Sequence, residues 1–162
     1  MFAAALGVFA RLADSVRVLG ELSGYGRDRR LYHHIRGLLL TARGDEPGAI
    51  AEFRAAIYSL TGGYSRTAYE LAALLLRQHR PREAIAVLQP AFRGSLDAAN
   101  LYTTRPQLHE LLGRAWEAAS VNDSAAAHYA VVARAWSAGD PPFRARADSA
   151  RARLVALGAT PH

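Results

Sequence analysis

The chain has no cysteine, no lysine and no long apolar run. Without cysteine there can be no disulfide, which fits a reducing compartment and favours a cytoplasmic address. The apolar stretch nearest the start, Phe2 to Ala10, is too short to span a bilayer and has no basic flank before it, so a soluble protein is expected. Because lysine is missing, all 20 basic residues are arginine, and they give a net charge of +6. A GC-rich coding bias accounts for that choice more simply than nucleic-acid binding does. The arginines are interleaved with Ala, Asp and Glu, as on solvated helix faces, yet guanidinium groups still favour carboxylate or phosphate partners. β-Branched runs are few while apolar residues make up 51% of the chain, a balance that favours close-packed helices over sheet.

What is present is a pattern of small residues that returns three times. Gly37, Leu40, Ala49, Phe53 and Ala56 are followed by Ala72, Leu75, Ala84, Leu88 and Ala91, then by Gly113, Trp116, Ala125, Tyr129 and Val132. The two small residues of each copy are always 12 apart, and the copies are spaced by 35 and then 41 residues. Periods near 34 residues mark stacked helix pairs. Gly or Ala at 37, 72 and 113 opposite Ala at 49, 84 and 125 lets paired backbones approach closely. Phe53, Leu88 and Tyr129 are then expected to fill the space between successive pairs. Each pair buries its apolar face only against its neighbours, so an all-α open solenoid of about eight helices is expected.

Local signals place the elements. A stripe from Phe2 through Leu6, Phe9, Ala13 and Val16 predicts a helix to about Leu22, stopped by Gly24 and Gly26. Helices follow over about 29–43 and, from Pro47 in the first turn, to about Leu60. After Thr61-Gly62-Gly63, Ser65 or Thr67 would cap the next helix, with Glu70 completing a capping box with Thr67, and that helix ends near His79. Its mate starts at Pro81 and should kink or end at Pro90. The connection from Arg93 to Arg105, with Leu96, Leu101 and Tyr102, reads as a packed loop. Thr104, Pro106 and Gln107 form a strong start for a helix over about 105–120, paired with one over about 123–137. Asp140-Pro141-Pro142 opens a last helix with Phe143, Ala147, Ala150, Leu154 and Leu157 on one stripe. Arg144, Arg146, Arg151 and Arg153 lie off it, as on a solubilising cap. The expected organisation is a packing helix and turn over 1–29, three helix pairs over 30–141 and a capping helix over 142–158, in one continuous domain.

These residues resemble the tetratricopeptide repeat (TPR) family, most closely at His109 to Trp116 with Ala125 to Tyr129, and at Gly37 to Leu40 with Gly44-Asp45 and Ala49 to Ala56. The resemblance covers about residues 30–138; Ala72 replaces Gly in the middle copy and Val132 replaces Ala in the third. It implies a right-handed superhelical solenoid and a non-catalytic interaction scaffold whose first helices line a concave groove. By register the groove would present His34, Arg66, Tyr69, Arg77, Gln107, Glu110, Arg114 and Glu117, with Leu38 and Ala73. The last two stand where carboxylate-clamp members carry Asn, which argues against chaperone-tail binding. Asn100 to Arg105 and Ala133 to Pro142 are also similar to repeat tails of larger bacterial regulatory proteins, which would make this chain a fragment or stand-alone relative of such a tail.

No catalytic, cofactor or metal constellation is found. His33 and His34 are adjacent and so diverge on a helix, without the four-residue spacing of a one-helix zinc pair, and are read as surface or groove residues. His109 occupies a packing position and Glu110 brings no companion ligand. No nucleophile motif or glycine-rich phosphate loop occurs. Trp116 and Trp136 are read as packing residues, whereas Tyr69 between Arg66 and Arg77 has the composition of a binding hot spot. The leading expectation is a protein or peptide partner, biased towards acidic segments by Arg66, Arg77 and Arg114. The alternative is a homo-oligomer formed through the apolar N-terminal helix. RNA binding is the third reading; the dispersed charge and the acids Glu110 and Glu117 argue against it.

Overall fold

A computed structural model of the protein describes residues 2–22, 30–57, 64–93 and 103–159. Among the described residues the chain is all-α, with eight helices and no strand. They are α1 (Phe2–Leu22), α2 (Leu31–Ala42), α3 (Glu46–Ala56), α4 (Ser65–Arg77), α5 (Pro81–Ala91), α6 (Arg105–Ala118), α7 (Asn122–Ala135) and α8 (Pro141–Ala156). The chain divides into two compact units, Met1–Leu60 and Thr61–His162. The expected stops at Gly24, Gly26 and Thr61-Gly62-Gly63, and the expected packed loop with Leu96, Leu101 and Tyr102, lie outside the described residues.

In the first unit α1 packs on α2 and α2 on α3. Phe53, 1% exposed, lies directly against Gly37: a Cβ added there would stand 2.5 Å from the ring. The large residue thus fills the space opened by the glycine of its own helix pair. Polar ties fix the same contacts. Arg36 Nη2 donates to Asp14 Oδ1 at 2.9 Å, and His33 Nδ1 donates to Glu52 Oε2 at 2.6 Å. Asp45 caps α3 by accepting from the Gly48 amide at 3.0 Å, with Pro47 in the first turn as expected. The helix ends at Ala56, four residues earlier than expected, because Ile57 turns to extended backbone.

In the second unit α4 packs on α5, α5 and α4 on α6, α6 on α7 and α7 on α8. Ala72, Ala84 and Ala125 are fully buried, as the small-residue pattern requires. Gly113 meets Tyr129 as Gly37 meets Phe53, though less tightly, with an added Cβ 3.1 Å from the ring. The expected capping box of Thr67 and Glu70 does not form. The helix starts earlier, at Ser65, with Tyr64 as its cap, and Thr67 is buried inside the first turn. The box at Thr104 does form: Gln107 Oε1 accepts from the Thr104 amide at 2.7 Å while Thr104 Oγ1 accepts from the Gln107 amide. Pro90 falls in the last turn of α5, which ends one residue later at Ala91. Ala147, Ala150 and Leu154 of the expected α8 stripe are buried with Val132 and Trp136. Phe143 is 40% exposed and lies 5.5 Å from the Trp136 ring.

The repeat is also written in the backbone. Gly44, His79 and Ser120 all take positive φ, at 80°, 57° and 61°, immediately after the first helix of each pair. At each turn the next residue's amide reaches back to an equivalent carbonyl: Asp45 to Leu40, Arg80 to Leu75 and Val121 to Trp116, at 3.0, 2.9 and 2.9 Å. This is the Schellman closure of a helix end, made after α2, α4 and α6 at spacings of 35 and 41 residues, and again after α8, where Gly158 takes φ 74° and the Ala159 amide reaches Leu154 at 3.0 Å. Of the three repeat copies only the first uses glycine for it.

Candidate partner-binding groove

Within the second unit, α4, α6 and α8 border a cavity of about 620 Å³, with Tyr129 of α7 also lining it. The spacing on α6 explains the lining. Glu110, Arg114 and Glu117 recur at four and three residues, so they share one helical face and point into the same space. From α8 come Ser149, Ala150 and Arg153, and from α4 comes Leu76. The surface is thus a row of charge on α6 between apolar patches at Leu76, Ala118 and Ala150.

Its electrostatics are set by two bridges between α6 and α8. Arg146 Nε donates to Glu110 Oε2 at 3.0 Å, and Arg153 Nε donates to Glu117 Oε2 at 3.2 Å, both across 36 residues. Arg146 also lies 4.4 Å over the Trp136 ring, so its orientation is held from two sides. The Tyr129 hydroxyl donates to Glu117 Oε2 at 2.8 Å. Burial, opposed by Arg114 and reinforced by Glu110, pushes that phenol up to about 12, so it remains a donor. Arg114 is the exception. It is exposed and makes no ion pair or hydrogen bond with the described residues, so one cation remains after each glutamate has taken an arginine.

The eight groove residues expected from the sequence are distributed unevenly. Glu110, Arg114 and Glu117 line the cavity. Tyr69 is half-buried on α4; burial raises its phenol, while Arg146, Glu110 and Arg114 also act on it, which places the ring within electrostatic reach of the charged row. Arg66 is half-buried and Arg77 exposed, both on α4, and both have interaction partners. Burial raises the Glu70 carboxyl, opposed by Arg77. Gln107 spends its side-chain oxygen on the helix cap. His34 belongs to the first unit and is 5% exposed, its ring 5.8 Å from Phe53, so it packs in that core instead of facing a ligand.

Tyr129, Arg146 and Arg153 join the site beyond the eight expected residues. A signal for the arginines exists: Arg146 and Arg153 are separated by seven residues, as Glu110 and Glu117 are, so two helices side by side pair both at once. Among the described residues no group of three or more potential metal ligands converges, and no helix is long and apolar enough to cross a membrane. Compared with known protein families, curated proteins and solved structures, the chain matches none.

Proposed function

We propose that this chain is a non-catalytic TPR-like scaffold whose second unit, continuing as a right-handed superhelical solenoid, holds an extended acidic segment of a protein partner between α4, α6 and α8. The observation that carries this reading is Arg114. It is an exposed guanidinium in a cavity of about 620 Å³ whose neighbouring arginines are already neutralised by Glu110 and Glu117. An arginine fork left open beside apolar ground at Leu76, Ala118 and Ala150 suits a peptide carboxylate flanked by small apolar side chains. Tyr69 would add an aromatic wall. Selection of a displayed random peptide library tests the reading. The wild-type chain is expected to enrich sequences containing Asp or Glu, and Arg114→Glu to lose them. No enrichment, or the same peptides on both proteins, would exclude it.

A second reading has its own observation. On α1 the side chains of Val8, Phe9, Leu12 and Leu19 are 46–66% exposed, an apolar surface suited to covering by a second copy of the chain. Light scattering across a dilution series is expected to show a dimer that Leu12→Glu with Leu19→Glu dissociates. A monomer at every concentration would remove this reading.

A further inference from the structure

We infer that His109 on α6 and His128 on α7 form a two-imidazole chelate for a divalent transition-metal ion of tetragonal preference, with Cu2+ the best match. Neither residue lines the groove, and the inference is independent of the peptide reading. The two Nδ1 atoms converge to 2.8 Å. Ligands at right angles on an ion with bonds of about 2.0–2.1 Å stand roughly 2.8–3.0 Å apart, whereas a tetrahedral ion needs roughly 3.3–3.4 Å. The separation therefore matches a square-planar or octahedral edge more closely than a tetrahedral one.

The rings are held for this. Their centroids are 5.0 Å apart, and the Phe92 ring lies against both, 4.7 Å from His109 and 6.3 Å from His128. Burial, with the neighbouring His128 and Arg105, lowers His109 to about 4, and burial lowers His128 too, so both rings are neutral near pH 7. In the neutral pair one Nδ1–H donates to the other Nδ1, whose own hydrogen is on Nε2. Ion binding requires that the donor ring move its hydrogen to Nε2 and that both rings turn so their Nδ1 lone pairs meet at the ion, with no net release of a proton.

Both side chains are half-buried, which leaves an open side from which water can complete the coordination. Arg105 is the charged group that bears on His109 electrostatically. It is exposed, and its Nη2 donates to the Phe92 carbonyl at 3.0 Å, so solvent screens its repulsion of an ion. The first helix pair supplies an internal comparison. His33 and Glu52 have the same 19-residue separation and bridge α2 to α3, but with one imidazole and one carboxylate.

The test is titration of Cu2+ into the full chain at pH 7.5, followed by electron paramagnetic resonance and by tryptophan-detected melting, since Trp116 and Trp136 both lie in the second unit. One tightly bound ion with two-nitrogen hyperfine structure is expected, together with a melting midpoint that rises with ion concentration. His128→Gln should weaken binding at least about tenfold by breaking the chelate and abolish the two-nitrogen signal, whereas His33→Gln should change neither. Equal affinity in His128→Gln and wild type, or loss of the signal in His33→Gln, would overturn the assignment. Should His128→Gln fail to fold, absence of the two-nitrogen signal from the wild-type chain would overturn it alone.

Discussion

His79 and Ser120 do without glycine what Gly44 does with it. A Cβ in the left-handed region meets the neighbouring carbonyl, a conflict that glycine avoids. The turns nevertheless keep the same closing hydrogen bond, so the helix-pair geometry imposes the backbone on residues that resist it. Ser120→Gly should therefore stabilise the protein by about 0.5–1 kcal/mol, read as a higher denaturation midpoint; a lower midpoint would contradict the strain. The glycines at the ring contacts behave oppositely. Gly37→Ala sets a methyl 2.5 Å from a buried phenyl ring and should cost about 1–3 kcal/mol. Gly113→Ala needs Tyr129 to give by only a few tenths of an ångström and should cost less. Equal losses in denaturant melts would refute this ordering. The histidine pair gives a pH signature in chelator-containing buffer. His109 binds its proton at about 4 when folded and near 6.5 when unfolded, so between those values the unfolded chain holds more protons and stability falls with acid. The loss begins below about pH 6.5 and should flatten in His109→Gln with His128→Gln.

At the scale of elements, helix starts were legible wherever the signal is local. Pro47, Pro81, and Thr104 with Gln107 each act within one turn, and each start lies where those residues put it. Thr67 with Glu70 has the same spelling and fails, because the helix starts at Ser65 and Thr67 lies inside its first turn instead of at the cap. The groove was half legible. The face of α6 follows from helical periodicity, but its neutralisation by α8 depends on two helices lying side by side across 36 residues. These bridges are part-exposed and should contribute little singly. Arg153→Ala is expected to cost no more than about 1 kcal/mol. Glu117→Ala removes the acceptor of both Arg153 and the buried Tyr129 hydroxyl and should cost more, about 1–3 kcal/mol. A double-mutant cycle on Glu117 and Tyr129 checks this: coupling below about 0.5 kcal/mol would mean the hydroxyl is satisfied by water.

At the scale of the whole molecule, the chain divides into two compact units. The repeat describes what a pair needs internally: a glycine under an aromatic ring in the first and third copies, one in each unit, and a left-handed closing turn in all three. The first unit has three helices around Ala13, Ala49, Ile50, Phe53 and Ala56, while the second builds a larger core from five. Smaller cores bury a smaller fraction of their surface and are less stable. The first unit should therefore unfold at lower temperature. Far-ultraviolet circular dichroism reports helices of both units, but fluorescence reports only Trp116 and Trp136, both in the second. On heating, the dichroism signal should begin to fall before the fluorescence changes, giving two midpoints, and Gly37→Ala should lower only the first. Coincident transitions that Gly37→Ala shifts together would show instead that the chain unfolds as a single cooperative body.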